Sequence, residues 1–131
     1  MMKTYSGSCH CGAVRFSIEA DLSQLTRCNC SVCTKEGNLS AYVPKERFRL
    51  IGGQAALTLY QFNKKIAKHF FCRHCGIRTF RNPRSYPDNY VVNVRCLDDF
   101  DLETAKYEVV LFDGRNWEAA QEARLKGQQK S

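Results

Sequence analysis

Seven of the eight cysteines of this chain sit in three short clusters, and that distribution constrains the fold more than any other feature. Cys9-His10-Cys11 carries two, Cys28-Asn29-Cys30-Ser31-Val32-Cys33 carries three, and Cys72-Arg73-His74-Cys75 carries two. Cys96 stands apart, in Val92-Asn93-Val94-Arg95-Cys96. What such clusters mean depends on the compartment. The opening residues have no apolar segment that could serve as a signal peptide, and no apolar run approaches the roughly 20 residues that cross a bilayer. The chain therefore reads as cytoplasmic with no membrane partner. In a reducing compartment, clustered thiols are metal ligands or redox groups more often than disulfides.

The spacings sort the clusters into sites. Cys72 and Cys75 form a C-x-x-C knuckle, and Gly76 supplies the backbone freedom needed just after the second ligand. A knuckle provides two ligands and needs a partner pair. Cys9 and Cys11, followed by Gly12, match it. Four thiolates would make a closed tetrahedral zinc site, which is the structural type. Cys28, Cys30 and Cys33 are left over. Three protein ligands beside an exchangeable position is how catalytic zinc is usually held. Cys96, His10, His69 and His74 remain as donors that would close this second site instead. None of the histidines stands at a telling spacing, and His10 and His74 lie inside the other clusters, so the open arrangement is favoured.

With 131 residues, the chain fits one domain, spanning 1–131. Val14, Phe16 and Ile18 alternate with polar neighbours, the pattern of a half-buried strand. Further strands are expected at Leu39–Val43, Phe48–Ile51, Leu57–Phe62, Ala67–Phe71, Ile77–Arg81, Tyr90–Cys96 and Tyr107–Phe112. Gly52-Gly53 and Asn63-Lys64-Lys65 read as turns. Only Asn116–Lys126 reads as a helix, with Asn116 as its N-cap and a frayed tail beyond. The fold class is thus mainly β: a small antiparallel hairpin fold stapled by zinc, with a short C-terminal helix.

The formal charge of +7 raises a nucleic-acid reading. However, Arg15, Arg27, Lys35, Arg49, Lys64, Lys65, Lys68, Arg73, Arg81 and Arg84 are scattered rather than blocked, and anionic zinc–thiolate sites would offset part of the charge. A nucleic-acid partner is not expected. A mild positive field suits a small anionic ligand equally well.

Taken in order, "GSCHCGAVRF", "CNCSVCTKEG", "FFCRHCGIRTF" and "VVNVRCLDD" resemble the glutathione-dependent formaldehyde-activating enzyme family, which includes the centromere-protein-V-like proteins. The resemblance runs from about Gly7 to about Trp117, ending in the weaker "FDGRNWE". It implies β-hairpins around zinc, of the β-tent type. It also implies two zinc ions per chain, a structural one at Cys9, Cys11, Cys72 and Cys75 and a catalytic one at Cys28, Cys30 and Cys33. The implied reaction is a carbon–sulfur lyase run in reverse: glutathione and formaldehyde joined as S-(hydroxymethyl)glutathione. One departure is Asn29, where the family pattern leads one to expect His; Asn cannot carry a proton.

Glutathione's carboxylates would need cations. Arg27, Lys35 and Arg95 lie nearest the motifs in sequence, though each reads individually as a solvated surface charge. Cys96 reads as a small buried hydrophobe on the Val92, Val94 face. Two other functions compete with the enzyme: a zinc-stapled module that binds nucleic acid or protein, and a thiol reductase using Cys96.

Overall fold

The computed structural model describes residues 2–37, 39–62, 64–83 and 88–129, with side chains described through residue 126. In chain order the strands are β1 (Lys3–Ser8), β2 (Arg15–Ala20), β3 (Gln24–Cys28), β4 (Ser40–Pro44) and β5 (Phe48–Gly52). They continue as β6 (Leu57–Tyr60), β7 (Lys68–Cys72), β8 (Phe80–Asn82), β9 (Asn89–Asn93) and β10 (Glu108–Phe112). Helix α1 covers Ser31–Glu36 and α2 covers Trp117–Gln129. The protein is mainly β, as its patterning implied. Neither helix is long and apolar enough to cross a membrane.

Two sheets share the core. One has the order β1-β2-β5, the other β10-β3-β4-β9-β8-β7-β6. The alternation in β2 sends Phe16, Ile18 and Ala20 inward while Arg15 and Glu19 stay exposed. Phe16 lies opposite Gly7 of β1. A Cβ on Gly7 would come within 2.3 Å of Phe16 Cζ, so the ring occupies the space a larger residue would need. Phe16 stacks on Phe48 of β5, and Phe48 meets Phe80 of β8 and Tyr90 of β9 at centroid separations of 4.7 and 4.4 Å. These rings lock the small sheet onto the large one.

The structure corrects several boundaries. β1 and β3 are additional strands: β1 carries few apolar residues and β3 is short, so neither shows a clear period. β8 begins only at Phe80, and Ile77–Thr79 approaches it without joining it. β9 ends at Asn93, where the Asn93 side chain accepts the Arg95 N–H and turns Val94–Cys96 into a single 3-10 turn. β10 runs parallel to β3, whereas every other strand pair among the described residues is antiparallel as expected. Helix α2 continues past Lys126 to Gln129, and the Asn116 amide donates to Asp113 Oδ2 at 2.9 Å. In the second expected turn Lys64 and Lys65 are described, Lys65 with φ 55°, while Asn63 lies outside the described residues. Arg84, Lys130 and Ser131 also lie outside them.

Candidate metal centres and the adjoining pocket

Cys9 and Cys11 sit in the loop from β1 to β2, and Cys72 and Cys75 in the turn from β7 to β8. The two loops fold alike. Gly12 N–H donates to Cys9 O and Gly76 N–H to Cys72 O, and both glycines are left-handed, with φ of 81° and 78°. A residue with a Cβ would strain either turn, which explains a glycine after each second ligand. The Val14 N–H points at Cys9 Sγ from 3.3 Å, a donor that favours the thiolate. All four sulfurs lie within 4.8 Å of one another. Two of the separations, Cys9 to Cys11 and Cys11 to Cys72, are 3.6 and 3.7 Å. A tetrahedron with zinc–sulfur bonds of roughly 2.3 Å has edges of about 3.8 Å, so the group fits a zinc ion.

The second group forms where β3 meets α1. Cys28 ends the strand, Cys30 precedes the helix, and Cys33 is buried in the helix's first turn. Helix α1, absent from the sequence reading, is held by Thr34 N–H to Cys30 O and closed by Gly37 at φ 69°. That turn brings three sulfurs within 4.8 Å of one another, a cluster that could hold a metal ion. Three adjacent thiols cannot ionise independently. Hydrogen bonds from Cys28 and then Cys33 lower Cys30, while those with Cys28 and then Cys30 raise Cys33, so the proton is shared out within the group.

The other candidate donors do not join this group. His10 and His74 are exposed in the loops of the four-cysteine cluster. Cys96 lies in the core, where its thiol donates to Arg78 O at 3.7 Å. Burial, and then the neighbouring Cys9, Asp98 and Cys75, push its pKa up to about 12. His69 is 1% exposed and shares a pocket with Cys28 and Cys30, yet it stands outside the three-sulfur group.

That pocket is a cavity of about 120 Å³. It is lined by the half-buried Cys28 and Cys30, the buried His69 and Arg81, and the exposed Lys64 and Lys65. Its walls include the rings of Tyr42, Phe62, Phe112 and Trp117. Arg27, Lys35 and Arg95, the cations nearest the motifs in sequence, are exposed and do not line it. Arg81 is 8% exposed, and its Nε has no hydrogen-bond partner. Burial alone would lower its pKa, but the neighbouring Cys33, Tyr42, Cys28 and Cys30 outweigh this and hold it charged. The cysteine cluster thus has a buried cation beside it.

Behind the pocket, Glu36 of α1 pairs with Arg78, and Arg78 Nη1 donates to His69 Nδ1 at 2.6 Å. That contact places the ring proton on Nε2. Burial, then the charges of Arg78 and Arg81, lower the His69 pKa to about 4 from 6.5. Between those values the unfolded chain binds a proton that the folded chain refuses, so stability falls as pH falls through that window. Above pH 6.5 the contribution is fully present. We expect wild type to lose about 2 kcal/mol more stability than His69→Gln between pH 7 and pH 5, read by urea unfolding. Equal losses would mean the ring is not held neutral.

The role of Asn29 is structural here. Its amide donates to Asp113 Oδ1 at 2.9 Å, its Oδ1 accepts Arg115 N–H, and its carbonyl accepts Arg115 Nε–H and the Thr34 hydroxyl. Asn116 and then Asn29 hold the Asp113 carboxyl below its usual range. This clamp fastens the Asp113–Asn116 segment over the cysteines. Gly114, which sequence reasoning missed, is the point of closest approach. A Cβ there would lie 2.7 Å from both Cys28 Sγ and Cys30 Cβ. The glycine within "FDGRNWE" was the available signal. Gly114→Ala should weaken zinc at the three-cysteine cluster about 10–100-fold, as displaced supporting residues do, with the four-cysteine cluster unaffected. Chelator competition measures this, and unchanged affinity would show that the segment yields freely.

A family model described as glutathione-dependent formaldehyde-activating enzyme matches residues 4–113. The crystal structure of a Rhodobacter sphaeroides protein is also similar, with 38% sequence identity and a TM-score of 0.73. The match covers 80% of this chain and 99% of that one. Cysteine clusters, fold and sequence agree, and the chain belongs to the glutathione-dependent formaldehyde-activating enzyme family.

Proposed function

We propose that the protein is a zinc-dependent, carbon–sulfur lyase-type enzyme that joins a small thiol, glutathione or a relative of it, to formaldehyde. In this reading Cys9, Cys11, Cys72 and Cys75 hold a structural zinc, and Cys28, Cys30 and Cys33 hold a catalytic one. The observation that carries the reading is the second cluster: three sulfurs and no fourth protein donor within reach among the described residues, with two of the cysteines facing a pocket.

The reaction forms one S–C bond and moves the thiol proton to the aldehyde oxygen, giving a hemithioacetal. Zinc bound by the three cysteines would supply Lewis acidity and favour the thiolate form of an incoming sulfur. The chain's residues do the rest. Three thiolates overcompensate the charge of one zinc ion, and buried Arg81 offsets the excess. The neutral His69 ring lines the pocket without adding charge. Lys64 and Lys65 present cations where the ligand enters, as the carboxylates of glutathione require. The Gly114 segment and the aromatic walls restrict water around the sulfurs.

Thiols add to formaldehyde unaided, so the test is a rate and not a yield. Exchange NMR of glutathione and formaldehyde with zinc-loaded protein should show adduct formation accelerated at least about tenfold over buffer. Loss of that acceleration on removing the zinc would be the matching control. A zinc-loaded protein that leaves the rate at its uncatalysed value overturns the reading.

A further inference from the structure

The chemistry of the pocket lining narrows which thiol it accepts. Glutathione brings two carboxylates and an α-ammonium group. Binding it inside a partly closed pocket requires an acceptor for the ammonium, because an unpaired charge taken from water is costly. Among the described residues the lining contains no Asp or Glu. Asn63 and residues 84–87 lie outside the described residues, and none of them is an Asp or Glu.

The acids nearest by sequence and contact are already engaged. Asp113 stands between the lining residues Phe112 and Gly114, but Oδ1 accepts from Asn29 and Oδ2 from Asn116. Glu36 is paired with Arg78. Glu118 is well exposed and faces Lys64 at 3.8 Å. The pocket instead offers the cations Arg81 and Lys65, with Lys64 at the exposed pair to Glu118, together with apolar walls. Tyr42, Phe62, Phe112 and Trp117 contribute rings, and Val32 and Pro83 contribute aliphatic surface. Such walls favour an apolar or aromatic arm.

We propose that the preferred ligand beside Cys28 and Cys30 is an anionic mercaptocarboxylate with an apolar, best an aromatic, arm and no ammonium group. This rests on the reading that the three-cysteine cluster is the thiol-binding site. The sulfur approaches that cluster, the carboxylate lies toward the lysines, and the arm fills the aromatic walls. Glutathione enters the same pocket less tightly.

The experiment is calorimetric titration of zinc-loaded protein with 2-sulfanyl-3-phenylpropanoate, with 2-sulfanylacetate, which lacks the arm, and with glutathione. The phenyl compound should bind roughly tenfold more tightly than either of the others. Trp117→Ala, checked to retain both zinc ions, should bring it close to 2-sulfanylacetate. Lys64→Gln/Lys65→Gln should weaken all three ligands. Glutathione binding as tightly as the phenyl compound, or more so, overturns the preference while leaving the thiol site standing. If no thiol binds to protein whose three-cysteine cluster carries zinc, the functional reading fails and the preference with it.

Discussion

Cys72→Ser should cost about 5 kcal/mol or more and leave the chain largely unfolded at 37 °C, even with zinc supplied. Cys72 is fully buried, ends β7, and lies 3.7 Å from Cys11, far away in sequence. Its N–H to Ile77 O and its carbonyl to Gly76 N–H shape the turn that carries Cys75. Losing this sulfur would remove a proposed zinc ligand and a core contact together, and would release the β1–β2 loop from the β7–β8 turn. The binding free energy of a structural zinc is folding free energy, and in small zinc domains it reaches roughly 10 kcal/mol or more, comparable to the stability of a whole domain. Thermal unfolding followed by circular dichroism checks this. A midpoint within a few degrees of wild type would show that the four-cysteine cluster does not staple the fold.

Cys30→Ser should behave in the opposite way, with the fold kept and the zinc-dependent rate lost. Cys30 is only half buried, and its structural contributions come from the main chain: its carbonyl accepts Thr34 N–H, which a serine at this position preserves. Serine is also an acceptable residue just before a helix. The sulfur, by contrast, is one of only three donors in its cluster. Its removal leaves two thiols, too few to retain zinc against a chelator. Adduct formation should fall to the uncatalysed rate while the melting curve stays within about 2 kcal/mol of wild type. A variant that keeps full acceleration would place the chemistry elsewhere.

Both cysteine groups were legible because ligand spacing is a local property. A C-x-x-C turn with a following glycine announces itself in five residues, and matching Cys9–Gly12 to Cys72–Gly76 needs no knowledge of the fold. The β2 alternation was legible for the same reason, and so was the buried placement of Cys96 beside Val92 and Val94. The pocket was not. Nothing local in Arg81, Lys64 or Gly114 relates them to Cys28; they meet through the long strand order β10-β3-β4-β9-β8-β7-β6. Sequence neighbours of the motifs were the wrong guide to anion binding. Arg27 lies exposed on β3 and Lys35 exposed on α1, and neither lines the pocket that cations from β8 and the β6–β7 loop supply. The parallel pairing of β10 with β3 was equally hidden, because it arises from where the chain returns and not from either strand's composition. It nevertheless decides how Gly114 and the Asn29–Asp113 clamp reach the cysteines. Asn29 shows the value of position over type: an apparent loss of a proton carrier is a hinge pin between two segments.

The central claim is that the chain carries two metal centres of different kinds, one holding the fold and one open to chemistry. Zinc content per chain, measured by mass spectrometry of the metal on wild type and Cys30→Ser alongside their circular dichroism, tests it most directly. The account predicts about two zinc ions in wild type and about one in the variant, with superimposable spectra. A variant that unfolds, or a zinc count that does not change, would contradict it.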